Sequence, residues 1–167
     1  WSYYLDSCLG HIMVVVYLFA IMDEPAAWRK AARRQPALLL SPLAATGIWM
    51  LVSGKMTVLL IGSFSNLFCC TLWAKWAWRI PSWRAFSYVC VAGMMQGLTS
   101  SLRLFRSLVM VLSVEWLVST VDITGAMLLA LGLAFFLRRA GFGVLFRSFL
   151  EEVGKVRAVV FLFLLLA

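Results

Sequence analysis

Long uncharged stretches alternate with short clusters of charge and proline along this chain, and that pattern predicts a set of membrane-length helices. The first apolar run spans roughly Leu9 to Met22 and closes at Asp23-Glu24-Pro25. A basic segment, Trp28-Arg29-Lys30-Ala31-Ala32-Arg33-Arg34, leads through Gln35-Pro36 into a second run, about Ala37 to Val52. Ser53-Gly54-Lys55 has only the length of a tight turn, after which a third run covers roughly Met56 to Trp73. Ile80-Pro81-Ser82-Trp83 breaks that helix and starts another, about Ala85 to Leu102. Arg103 to Thr120 is apolar but carries Arg103, Arg106 and Glu115, which suits a segment lying along the outer interface. A fifth run covers about Ile123 to Leu137 and ends at Arg138-Arg139. A mixed-charge connector with Arg147, Glu151, Glu152, Lys155 and Arg157 precedes a last run, Val159 to Leu166, that opens a sixth. The fold class expected is therefore all-α, a polytopic membrane helix bundle of about six transmembrane helices.

Composition strengthens that reading. Hydrophobic residues make up 63% of the 167 positions and charged residues 13%, against about 45–50% and about 25% in soluble domains. A water-soluble fold of this size has too little interior to hide so much apolar surface. The single domain, residues 1–167, begins at Trp1 and stops within an apolar run, so it reads as a fragment of a longer chain. The first run lacks the basic start and the cleavage site of a secretory signal and is counted as a span.

The net charge of +8 changes meaning once the runs are placed. Basic residues flank apolar segments instead of forming a stripe on a soluble face, which argues against nucleic acid as a partner and for the lipid bilayer. With alternating spans and Arg29 inside, twelve cations fall on the cytoplasmic side: Arg29, Lys30, Arg33, Arg34, Lys75, Arg79, Arg84, Arg138, Arg139, Arg147, Lys155 and Arg157. Three, Lys55, Arg103 and Arg106, fall outside. This positive-inside asymmetry predicts a multi-pass protein of the cell membrane with its N-terminus external. The interleaved tryptophans and cations of Trp73-Ala74-Lys75-Trp76-Ala77-Trp78-Arg79 fit headgroup level.

Candidate chemistry is sparse. His11 sits one turn from Cys8, a spacing that allows contact, but a working thiolate also needs an orienting group and an oxyanion site, and no pattern supplies them. Whether the chain is an enzyme stays open; the sequence identifies no catalytic residue, no metal ligand set and no cofactor. Cys8, Cys69, Cys70 and Cys90 lack the spacing of a zinc site or disulfide framework and read as packing residues. Arg103 and Arg106 have the three-residue spacing of voltage-sensor charges, yet two are too few for steep gating. Glu115 and Asp122, seven apart, share one face if one helix joins them. Together with the two arginines they form the candidate ligand-binding set on the outer side, suited to a peptide or small ionic signal. Gly93 and Gly97 form Gly-x-x-x-Gly, a spacing for close helix approach, with Gln96 as an adjacent helix-packing polar group. Thr99, Ser100 and Ser101, with Ser63, Ser65 and Asn66 in the third run, are further groups able to bond between helices.

The first span, basic loop, paired spans, tryptophan-rich link Trp76-Ala77-Trp78-Arg79-Ile80-Pro81-Ser82-Trp83-Arg84-Ala85-Phe86 and the patch Gly93-Met94-Met95-Gln96 resemble the amino-terminal membrane domain of bacterial GHKL-type sensor histidine kinases, the class that includes quorum-peptide receptors. The resemblance implies a sensor or receptor that passes an extracellular signal to a cytoplasmic histidine kinase module, with a second copy of the chain as candidate partner. No phospho-accepting histidine carries over, since that module is not in this segment. The alternative is a small-molecule transporter or substrate-binding membrane subunit such as the six-span components of vitamin importers, and a membrane enzyme is a third class.

Overall fold

The computed structural model describes residues 2–22, 33, 36–52, 55–101 and 115–166, and their regular secondary structure is entirely helical. In chain order the helices are α1 (Ser2–Ile21), α2 (Pro36–Val52), α3 (Lys55–Trp78), α4 (Ser82–Ser101), α5 (Glu115–Arg139) and α6 (Phe142–Leu166).

Local sequence accounts for the helix boundaries. Pro36 opens α2, where its fixed φ suits a helix start and its missing N–H costs nothing. Arg79 ends α3 with φ 54°, the left-handed geometry that stops a helix. The Pro81 carbonyl then accepts the Ala85 amide at 3.0 Å and starts α4, so the tryptophan-rich link turns the chain within a few residues. At the next corner Gly141 takes φ 69° while its amide donates to the Arg138 carbonyl at 3.1 Å. A side chain at that φ would meet the following carbonyl, which is why glycine stands there.

α1 is the hub of the bundle, packing against α2, α3, α4, α5 and α6. Its Met13, Val14, Tyr17, Leu18, Ala20 and Ile21 are all buried, so the helix is enclosed on several sides and no single apolar stripe describes it. Small residues let its neighbours approach: Ala85 and Ala92 on α4, and Ala126, Ala130 and Ala134 on α5, are buried at the same core. Where α1 ends, Phe19, Trp73 and Trp78 stack edge to face with centroids 5.6, 5.7 and 4.9 Å apart. Such pairs add about 0.5–1.5 kcal/mol each beyond burial and tie α1 to the last turns of α3.

Two boundaries differ from expectation. α5 begins at Glu115, eight residues before the anticipated Ile123, so Glu115 to Thr120 continue the helix instead of lying apart as interface; Arg103 and Arg106 lie outside the described residues. The charged segment expected as a connector is helical up to the break at Gly154, so that Arg147, Glu151 and Glu152 belong to α6 and Lys155 and Arg157 follow the break. Phe146, Phe149, Leu150 and Val153 recur at helical spacing and pack on the core, so periodicity outweighs the charges between them. The helix is interrupted further on, at Gly154 (φ 74°, ψ 169°), a backbone region essentially closed to other residues.

Among the described residues no single helix is long and apolar enough to cross a membrane alone. Ser7–Ile21 is apolar but shorter, and Ile123–Arg139 with Phe142–Gly154, bent by 64°, meet that standard only as a pair. Several polar groups within the helices face one another inside the bundle. Outward, the helices present Ile12, Leu51, Phe64, Phe68, Phe135, Phe136 and Leu145, all exposed.

Trp73 is fully buried whereas Trp76, on the same helix, is 48% exposed. Trp73→Ala is expected to lower unfolding stability by about 3–5 kcal/mol and Trp76→Ala by less than about 1 kcal/mol, read by thermal unfolding of the purified protein. Equal losses would show that the aromatic cluster does not anchor α1.

Candidate functional site

Because α1 is enclosed, its polar side chains need partners from other helices. His11 is buried, and its Nδ1 lies 2.8 Å from Asn66 Oδ1 on α3. One turn further along α3, the Cys70 thiol donates to the same Asn66 oxygen at 3.0 Å. A carbonyl oxygen only accepts, so His11 carries its proton on Nδ1, and both lone pairs of Asn66 Oδ1 are used. Two turns down α1, the Tyr17 hydroxyl bonds Thr99 Oγ1 on α4. The Thr99 hydroxyl donates its one hydrogen to the Met95 carbonyl at 2.8 Å, which leaves Tyr17 as the donor.

Beside these bonds lies a cavity of about 230 Å³ between α1, α3 and α4, lined by Val14, Asn66, Leu67, Val89, Cys90, Gly93 and Gln96. Gln96 Nε2 donates to Ser100 Oγ at 3.0 Å, and the Asn66 oxygen is occupied twice. Two neutral amides on otherwise apolar walls are a chemistry for a small uncharged ligand bearing an amide, hydroxyl or similar group. The volume is below the about 300–1,000 Å³ of drug-sized sites, and too small for a peptide.

A cysteine–histidine pair does exist, though with a different cysteine from the neighbour in sequence. Cys70 Sγ stands 4.0 Å from His11 Nδ1. Thiol and imidazole both donate to Asn66, so the group is a shared-acceptor network, and a nucleophile and its base would instead face each other as donor and acceptor. Cys8, Cys69, Cys70 and Cys90 are free thiols, and no group of three potential metal ligands occurs among the described residues.

The residues singled out from sequence fall in different places. Glu115 and Asp122 are both on the first turns of α5; whether they meet Arg103 and Arg106 lies outside the described residues. Gly93 and Gly97 do not mark a tight crossing, since a Cβ added at either would meet nothing within 4 Å. The close approach is at Gly10 on α1, where an added Cβ would stand 3.3 Å from Gln96 Nε2. Gln96 lies against Gly10 of α1, and Gly93 lines the cavity. His11 with Asn66, and Tyr17 with Thr99, were not legible as pairs: 55 and 82 positions separate them, and only polar residues in apolar runs hinted at partners.

No family model matches this chain, and no curated protein or solved structure is similar enough to count as a relative.

Asn66→Ala is expected to leave two buried donors without their acceptor and to destabilise the protein by roughly 1–3 kcal/mol. Gly93→Ala should be neutral or stabilising by up to about 1 kcal/mol, since the helix gains an alanine and the methyl enters open space. Gly10→Ala must displace Gln96 and should not stabilise. Thermal unfolding of the three variants checks the order; Gly93→Ala as the most damaging would refute the cavity.

Proposed function

We propose that this chain is a multi-span membrane sensor domain whose signal is a small uncharged ligand held between α1, α3 and α4. The observation that carries this reading is the cavity lined by the neutral amides of Asn66 and Gln96 between α1, α3 and α4, in a bundle with many exposed large apolar side chains. The exposed phenylalanines and leucines have no use in water and suit hydrocarbon. The excess of cations in one set of loops orients the chain with those loops in the cytoplasm.

α4 favours sensing in particular. Val89, Cys90, Gly93 and Gln96 on it line the cavity, while Arg84, nearer its start, pairs with Glu151 of α6 at 3.5 Å. A ligand that favours one placement of α4 would change the α4–α6 contact, and only such differential binding can shift a two-state equilibrium. The break at Gly154 lies one turn beyond Glu151 and gives α6 a place to respond. Coupling to a histidine kinase rests on the family resemblance. The second reading, a substrate-binding subunit of a transporter, draws on the same neutral cavity and differs in requiring substrate uptake.

Two measurements test the proposal. With the four native cysteines replaced, a cysteine at Ala32 should react with an impermeant maleimide only after the membrane is opened, and one at Gly54 in intact cells; the reverse would sink the topology. Gly93→Leu, which fills the cavity, should alter hydrogen exchange of α6 around Arg147 to Gly154 as well as of α4. Changes confined to α4 would remove the transmission route and leave the substrate-binding reading.

A further inference from the structure

A second cavity, of about 270 Å³, lies at the other end of α4, lined by Met22, Trp78, Ile80, Arg84, Tyr88, Arg147 and Glu151. It differs in kind from the first, because two arginines, a glutamate and a tyrosine line it. The Arg147 guanidinium lies against the Tyr88 hydroxyl. Arg84 pairs with Glu151 at 3.5 Å, and the Glu151 side chain is half exposed, so that ion pair is long and screened by solvent. One carboxylate against two guanidiniums leaves an excess of positive charge.

Arg84 and Arg147 are the cationic residues lining this cavity. Arginine is the side chain best fitted to an oxyanion, its fork of donors matching two oxygens at once.

From these two guanidinium groups we propose that the cavity between the α3–α4 link and α6 binds a phosphate group, through Arg84 and Arg147. Two sources share that chemistry: the headgroup of an anionic phospholipid and free phosphate. On the membrane reading the site sits on the side of the basic loops, where the anionic surface of the inner leaflet supplies headgroups; the phosphate chemistry itself does not depend on that reading.

The test uses the purified chain in neutral detergent, followed by native mass spectrometry with phosphatidylglycerol or phosphatidylcholine and by thermal shift with inorganic phosphate. Retention of phosphatidylglycerol over phosphatidylcholine, without a shift from phosphate, supports a lipid headgroup site. A shift from phosphate as well supports a site open to soluble phosphate. In either case Arg147→Gln should weaken binding roughly tenfold or more. Glu151→Gln removes the competing carboxylate and should strengthen it roughly two- to fivefold. The opposite signs separate loss of a site from loss of folding. No preference for either phosphate source, or Glu151→Gln weakening binding as much as Arg147→Gln does, would overturn the proposal. The first cavity and its neutral ligand would be untouched by that result.

Discussion

The enclosure of α1 is the constraint from which the remaining arrangement follows. α1 packs against each of the other described helices and exposes little beyond Ile12, and the polar His11 and Tyr17 within its apolar run are buried. Each must be satisfied internally or cost several kcal/mol. Asn66 and Thr99 meet that need from α3 and α4, and the two bonds fix the rotation of α1 about its axis as well as the heights of its neighbours. Apolar packing alone specifies neither sharply, because leucine and alanine surfaces slide at little cost, whereas a misplaced hydroxyl or imidazole does not. The aromatic contact of Phe19 with Trp73 and Trp78 adds a third fixed point at the end of the helix.

That arrangement places chemistry of two kinds along α4. Toward its C-terminal half the polar groups are neutral and converge on a cavity bounded by Gly93. Near its start they are charged, and α6 answers them with Arg147 and Glu151. A single rigid helix joining a neutral pocket to an ionic contact is a simple means of relating ligand occupancy to the position of another helix. The link at Arg79 to Pro81 keeps the start of α4 beside the end of α3, so movement of α4 is felt at both. Gly154 breaks α6 just beyond the contact, where continuous helical hydrogen bonding would otherwise resist bending.

The surface and the interior are both largely apolar. Phe64, Phe68, Phe135 and Phe136 are exposed along the helices, while α6 also exposes Arg147, Glu151 and Glu152. Among the described residues the core is built of apolar side chains, with His11, Ser87 and Thr99 the buried polar ones. Large exposed aromatic side chains suit hydrocarbon on the proposed membrane reading.

How much of this was legible beforehand divides along physical lines. The sequence by itself determined the helical class and the corners at Pro36 and Pro81, because these depend on local sterics and on the apolar runs between them. It started α5 too late and read the charges of α6 as a connector: Glu115 begins a helix, and Arg147 to Glu152 lie within one. Gly-x-x-x-Gly at Gly93 and Gly97 suggested a close crossing, but spacing within one helix cannot say what stands opposite, and the tight approach is at Gly10. Only the tertiary structure decided that His11 shares Asn66 with Cys70, that Gln96 and Asn66 line one cavity, and that Arg84 and Arg147 line another. Those relations join residues dozens of positions apart, and their partners are chosen by how the described helices pack, a cooperative outcome with no signature in any local stretch of the chain.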